Sequence, residues 1–447
     1  MPAPTARPSA ARPGRYLDAA VQAARWIRSA RVVTPDGYVW LQGPERPEGL
    51  SIDANLYHGG AGVILFLAQL GRVTGDASYL EEAARGADAL IAGLPEALTS
   101  PTQEGLYTGV AGIGFALEQV HQAAGKVEHR QGGTRCRDLL LKAAKVVPAA
   151  PSEPGAGEAA EGIERAEWGE LTDIIMGAAG AGLYLLDRAR QLDDIAALRM
   201  AVKAGHRLVE LGIPEAGGLK WKMGASLAKT MPNFSHGTAG VAYFLAVLYQ
   251  NTGHQGFLDA ALAGARYLQA VADTAGDGCL VFHNDQNGKD LHYLGWCHGP
   301  AGTARLFHQL ARVTQDPAWD GWVKRGARSI LKSGIPEKRT PGFWNNAGQC
   351  CGDAGVADFF LRLHRLHQDP ESLAFAKRIA DDLLRRATAT QGGGLKWVHA
   401  EHRAKPDYTY AQTGYMQGAA GIGLMLLHLD AVERGQAWDF RLPDSPF

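Results

Sequence analysis

Three dipeptides in this sequence bring together side chains able to do chemistry: Ser235-His236, Cys297-His298 and Cys350-Cys351, each directly followed by glycine. Thiolates and imidazoles are the ligands zinc prefers, and a site with three protein ligands keeps a fourth position open for catalysis. Cys297, Cys350 and Cys351 are therefore expected to hold Zn²⁺. The competing use of a free cysteine is as a small buried apolar side chain. Against it, three of the five cysteines in 447 residues fall at one short motif. His236 is expected to transfer protons, since an unperturbed imidazole titrates near neutrality. Asp173, four residues before a glycine of the same motif, is open to two readings, a helix N-cap or a functional acid. His58 and His298 are likewise open between contact with substrate and hydrogen bonding to the adjoining loop.

The motif that carries these residues is Gly-x-Ala-Gly, which occurs seven times with its first glycine at Gly59, Gly109, Gly177, Gly237, Gly299, Gly352 and Gly418. Each copy opens an apolar run such as Val241 to Tyr249 that reads as a helix buried on most sides. Between runs lies a more polar helical pattern with a capping Asp or Ser in front, as in Asp76-Ala-Ser or Asp369-Pro-Glu-Ser, where Pro370 suits a first turn. Each repeat is thus an inner helix followed by an outer one. The glycine spacings of 50, 68, 60, 62, 53 and 66 residues leave room for variable loops. Two of these loops share the string Gly217-Gly-Leu-Lys-Trp221 and Gly393-Gly-Leu-Lys-Trp397, read as a short hairpin element.

Seven like pairs form an open superhelix or close into a ring, and closure removes the exposed ends. The expected fold is all-α, a closed α/α toroid with seven inner and seven outer helices, and the glycines allow close backbone approach at the entry turns. In a ring, equivalent positions face the same mouth. The residues before the first glycine, His58, Thr108, Met176, His236, His298, Cys351 and Gln417, should line it, with Tyr57, Tyr107, Ile175, Ser235, Cys297, Cys350 and Met416 one step behind.

Bulk properties narrow the rest. A net charge of −1 gives no electrostatic reason to bind nucleic acid. No run approaches the roughly twenty apolar residues of a membrane span. Residues 1–15, rich in Pro, Ala and Arg, lack the core of a secretory signal and read as a disordered lead-in to one domain over 16–447. The loop from Pro148 to Glu161 reads as a mobile surface segment. A soluble, cytoplasmic protein is expected, with cysteines kept reduced.

Ser235-His-Gly-Thr-Ala-Gly240, Trp296-Cys-His-Gly-Pro-Ala-Gly302 and Cys350-Cys-Gly-Asp-Ala-Gly355, in this order within seven repeats, resemble the lanthionine synthetase C-like cyclase family. The resemblance covers nearly the whole chain. It implies a double-layered toroid with a central zinc site that binds a peptide cysteine, whose thiolate adds to dehydroalanine or dehydrobutyrine to close a thioether ring. On this reading Cys297, Cys350 and Cys351 are the zinc ligands, with Cys351 standing where most members carry histidine. His236 is the catalytic histidine and Asp173 the characteristic acid. Tyr293 stands where stand-alone cyclases carry an arginine, and His298 where they carry a tyrosine, which makes both substrate-contact candidates. The partners implied are a dehydrated precursor peptide and a separate dehydratase or kinase/lyase, because the repeats occupy the chain. Rival readings are a zinc-stabilised peptide-binding scaffold without catalysis, addition of a free thiol such as glutathione, and a toroidal glycosidase, for which only Asp173 and Asp353 supply acids.

Overall fold

The computed structural model describes residues 14–147 and 163–447; the expected mobile loop and all but the last two residues of the expected lead-in lie outside them. Gly14 is the N-cap of the first helix. Fourteen α-helices occur among the described residues, in chain order α1 (Arg15–Ser29), α2 (Gly60–Thr74), α3 (Ala77–Ala92), α4 (Val110–Ala124), α5 (Val127–Ala143), α6 (Ala178–Leu192), α7 (Ile195–Glu210), α8 (Thr238–Thr252), α9 (Gln255–Val271), α10 (Pro300–Thr314), α11 (Ala318–Lys332), α12 (Asp353–His367), α13 (Pro370–Arg386) and α14 (Ala419–Glu433). The even-numbered helices form the inner layer, each packed on its two inner neighbours, with α14 against α2 to close the circle. The fold is an α/α toroid.

Every inner helix has 15 residues, so all seven start and stop at the same levels. Helix α2 is buried without interruption from Gly60 to Gly71, whereas the outer helix α7 buries only Ala197, Ala201, Ala204, Gly205 and Leu208, a single stripe. Asp76 and Asp369 cap α3 and α13 as their sequence predicts, with Pro370 in the first turn of α13. One expectation needs correction: the seventh outer helix does not follow its inner partner. It is α1, the first helix of the domain, which packs on α14. After α14 the chain instead runs along the ring, burying Trp438, Phe440 and Leu442.

The repeated glycines are explained by contact. A Cβ on Gly237 would lie 1.8 Å from the Met231 carbonyl oxygen, and one on Gly240 would lie 2.1 Å from that of Phe234. Each entry turn folds back so tightly that its carbonyls occupy the space of a side chain. The same approach recurs in all seven copies, from Gly59 on Asp53 to Gly421 on Tyr415.

The turns are also tied to one another. Backbone amides donate from Tyr57 to Tyr107, Tyr107 to Ile175, Ser235 to Cys297, Cys297 to Cys350, Cys350 to Met416 and Met416 back to Tyr57, over 2.9–3.0 Å, and Ile174 donates to Ser235 at 3.1 Å. This closed circle of seven inter-repeat bonds runs through the position two before the glycine, where the cysteines stand.

Candidate metal centre and active site

Because that circle fixes the backbone, side chains from separate repeats meet. The Cys297 and Cys351 sulfurs lie 3.3 Å apart, and Cys351 Sγ lies 3.5 Å from Cys350 Sγ. All three fall within 4.8 Å of one another, and Cys297 and Cys350 are buried. Thiolates around a tetrahedral zinc at about 2.3 Å would stand about 3.8 Å apart, so the donor set fits that ion. The electrostatics agree. Burial and the neighbouring thiols push Cys297 well above the usual thiol range. Cys351 is also pushed up: its bond with Cys297 favours the thiolate, but Cys350 and burial outweigh it. Cys350 is held well below, because hydrogen bonds from Cys297, Cys351 and Tyr57 overcome the burial that opposes ionisation. Three thiols packed this closely oppose one another's ionisation, and a divalent ion held among them would offset that repulsion.

His236 stands two repeats before Cys351, its Nδ1 donating to Asp173 Oδ2 at 2.6 Å. Asp173 is not the N-cap of α6, which is Gly177 with no side-chain cap; it supports the entry turn instead. Its Oδ1 accepts from the Met176 amide at 3.2 Å, as Asn55 and Asn233 accept from His58 and His236 at the same register, while Oδ2 serves the imidazole. Asp173 is fully buried, whereas the His236 side chain is 21% exposed and so reaches the mouth. Glu104 is buried near Asp173, and burial and that charge push its carboxyl up.

His298 and Tyr293 lie on the same side. His298 is buried, its ring centroid 5.8 Å from that of His236, 4.5 Å from His283 and 5.0 Å from Tyr293. Its Nδ1 has no hydrogen-bond partner among the described residues, so bonding to the adjoining loop does not account for it. Burial holds His298 well below the usual imidazole range and brings His283 to about 4. Tyr293 stacks on His283 at 4.9 Å, accepts from Arg403 Nε at 3.3 Å, and is pushed up to about 12 by burial. His58 is bound to a loop: its Nε2 lies 3.0 Å from Glu401 Oε1 in the hairpin that precedes the seventh copy. Asp353 belongs to none of this; it is fully buried and paired with Arg339 and Arg386.

Sequence reasoning missed His283, Glu401 and Arg403 as members of the site, and placed Tyr57 behind the mouth without a role. His283 and Glu401 come from loops between outer and inner helices, off the register of the repeat. A sign of them exists: His283 follows Val281 by two residues as His399 follows Trp397, and both segments pair in antiparallel fashion with the stretch before the next turn.

The architecture and the site define a class, the helical toroids with a thiol cluster at one mouth. The chain belongs to the lanthionine synthetase C-like protein family, whose model matches residues 51–442. Among solved structures it is similar to nisin cyclase, with a TM-score of 0.58 and 15% identity over 86% of this chain and 89% of that one. It is also similar to a protein from Listeria innocua, with a TM-score of 0.51 and 11% identity over 94% and 98% of the two chains. At such identities the likeness shows the fold. No curated protein sequence matches the chain. No helix among the described residues is long and apolar enough to cross a membrane.

Proposed function

We propose that this protein is a zinc-dependent peptide cyclase that adds a cysteine thiol to dehydroalanine or dehydrobutyrine within one peptide, forming lanthionine or methyllanthionine. The observation that carries the reading is the meeting of three thiols within 4.8 Å at the same mouth as a His236–Asp173 pair. Cys297, Cys350 and Cys351 would hold the ion. Bound zinc supplies the positive charge that lowers the pKa of a substrate thiol. In the addition a C–S bond forms, the C=C π bond breaks, and Cα must then gain a proton. His236 has Nδ1 fixed by Asp173 and is left with Nε2 to deliver it. Asp173, buried beneath the ring, fixes its orientation. Tyr293 and His298 form the wall against which the peptide would lie, and a separate dehydratase would prepare it.

The test is zinc analysis of wild type and Cys351→Ala together with a mass-spectrometric thiol-alkylation assay on a short peptide bearing one dehydroalanine and one cysteine. The expected outcome is one zinc per wild-type chain and loss of an intramolecular thiol, with both falling at least 10-fold in the variant. Zinc loss with undiminished ring closure would overturn the mechanism. A glutathione adduct in place of a ring would move the assignment to free-thiol addition.

A further inference from the structure

We propose that His58 and Glu401 form a second acid/base pair of this site, His58 accepting the proton that the substrate thiol gives up while His236 supplies the one that Cα gains. The inference rests on the cyclase reading and deepens it.

The ring sets the two imidazoles symmetrically about Cys351. Cys351 belongs to the sixth copy of the repeat, His236 to the fourth and His58 to the first; on a closed circle of seven, each histidine is two steps from Cys351, in opposite directions. The backbone bond from Met416 to Tyr57 is what makes the first copy a neighbour of the seventh. The local chemistry is matched as well. Each imidazole gives one ring nitrogen to a carboxylate, His236 to Asp173 at 2.6 Å and His58 to Glu401 at 3.0 Å. Each carboxylate is largely buried, 0% and 11% exposed, while the imidazoles are 21% and 24% exposed. Each carboxylate is anchored through its other oxygen: Glu401 Oε2 accepts from Tyr410 Oη at 3.1 Å and Gln412 Nε2 at 3.0 Å.

The pair adjoins the thiols. The His58 ring meets Tyr57 edge-on with centroids 4.5 Å apart, the Tyr57 hydroxyl accepts from Gln417 Nε2 at 2.9 Å, and the Tyr57 backbone joins that of Cys350 through Met416 in the circle of inter-repeat bonds. The groups facing His58 are Glu401, Tyr57 and Asn55, whose Oδ1 accepts the His58 amide, and the groups around Glu401 are Tyr410, Gln412 and the more distant His402 at 3.8 Å. Glu401 is ionised: burial raises its pKa, but the bond and charge of His58 bring it to about 2. An ionised Glu401 accepts Nε2–H, which leaves Nδ1 with a lone pair and steadies the imidazolium once a proton arrives. Thiol addition loses a proton at sulfur and gains one at carbon; a single histidine would have to carry that proton from one atom to the other, whereas two pairs serve the two atoms separately. The two pairs stand on opposite sides of the thiols.

The experiment measures single-turnover ring closure of the same dehydroalanine–cysteine peptide by zinc-loaded wild type, His58→Gln and Glu401→Gln between pH 6.5 and 9, in D₂O as well as H₂O. Both variants should keep one zinc per chain and the wild-type stereochemistry of deuteration at Cα. At pH 6.5 the His58→Gln rate should fall about 10²-fold and that of Glu401→Gln less, and the deficit should shrink to within about 3-fold at pH 9, where a free cysteine thiol, of pKa about 8.5, reaches the site already ionised. A pH-independent deficit, lost zinc or an unchanged rate at pH 6.5 would each overturn the role. Absence of ring closure by wild type itself would overturn the cyclase reading, and the proposal with it.

Discussion

At the scale of single residues, Asp173 separates support of a turn from support of an imidazole. Asn in its place keeps the oxygen that accepts the Met176 amide, as Asn55 and Asn233 do at their own turns, but loses the anion that faces His236. Asp173→Asn should therefore change stability by less than about 1 kcal/mol. It should lower the rate of ring closure about 10²-fold, without changing zinc content. Thermal unfolding and the alkylation assay read the two effects separately, and an unchanged rate would leave Asp173 as a support of the turn alone. The cysteines, His236 and Asp173 were legible in the sequence because the repeat places them at known offsets from a glycine, and the ring turns equal offset into proximity. Glu401 and His283 were not, since they reach the mouth from hairpin loops whose lengths differ between repeats. No fixed offset from the repeated glycine marks them; only pairing of the hairpin with the next entry turn brings them in.

At the scale of elements, the entry turn is the unit that the sequence conserves from copy to copy within this chain. Gly237→Ala would set a methyl group 1.8 Å from the Met231 carbonyl oxygen, and since both atoms are backbone-held the turn must open. A loss of about 3 kcal/mol is expected, measured by denaturant unfolding. Gly321 in the outer helix α11 has nothing within 4 Å of its ideal Cβ, so Gly321→Ala should instead raise stability by about 0.5–1 kcal/mol. Gly237 is the N-cap of α8, where glycine is itself preferred to alanine, so there the carbonyl contact and the cap preference act in the same direction. The hairpins show the limit of reading elements from sequence. Two share Gly-Gly-Leu-Lys-Trp, and their Trp221 and Trp397 indoles donate to the Leu208 and Leu383 carbonyls at 2.7 and 2.9 Å. Trp168 repeats this on Leu140 at 2.7 Å, behind the paired segments Lys145–Val147 and Arg165–Glu167, and Trp40 ends a fourth hairpin. Only the tryptophan is held by packing, so the letters around it drift and the likeness disappears.

At the scale of the molecule, two contacts far apart in sequence complete the toroid, and neither lies within the repeat. One is the packing of α1 on α14, which supplies the missing outer helix. The other is the segment after α14, which carries a fully buried carboxylate, Asp444. Its Oδ2 accepts from the Tyr107 hydroxyl and the Trp296 indole at 3.1 Å each and pairs with Arg305 at 3.1 Å. Tyr107 is a member of the backbone circle and Trp296 precedes Cys297, so this carboxylate braces two entry turns at once. Arg305 in turn donates to the Asp444 carbonyl at 2.8 Å, and its guanidinium is largely buried. Taking the charge from one partner leaves the other uncompensated in a dry interior. Asp444→Asn should therefore cost about 3–5 kcal/mol in denaturant unfolding. Arg305→Met should cost a similar amount, and the double variant markedly less than the sum, because the desolvated charge that makes each single change expensive is then absent. Strict additivity would show that the segment is held by Trp438, Phe440 and Leu442 alone, and that the ion pair only accompanies them.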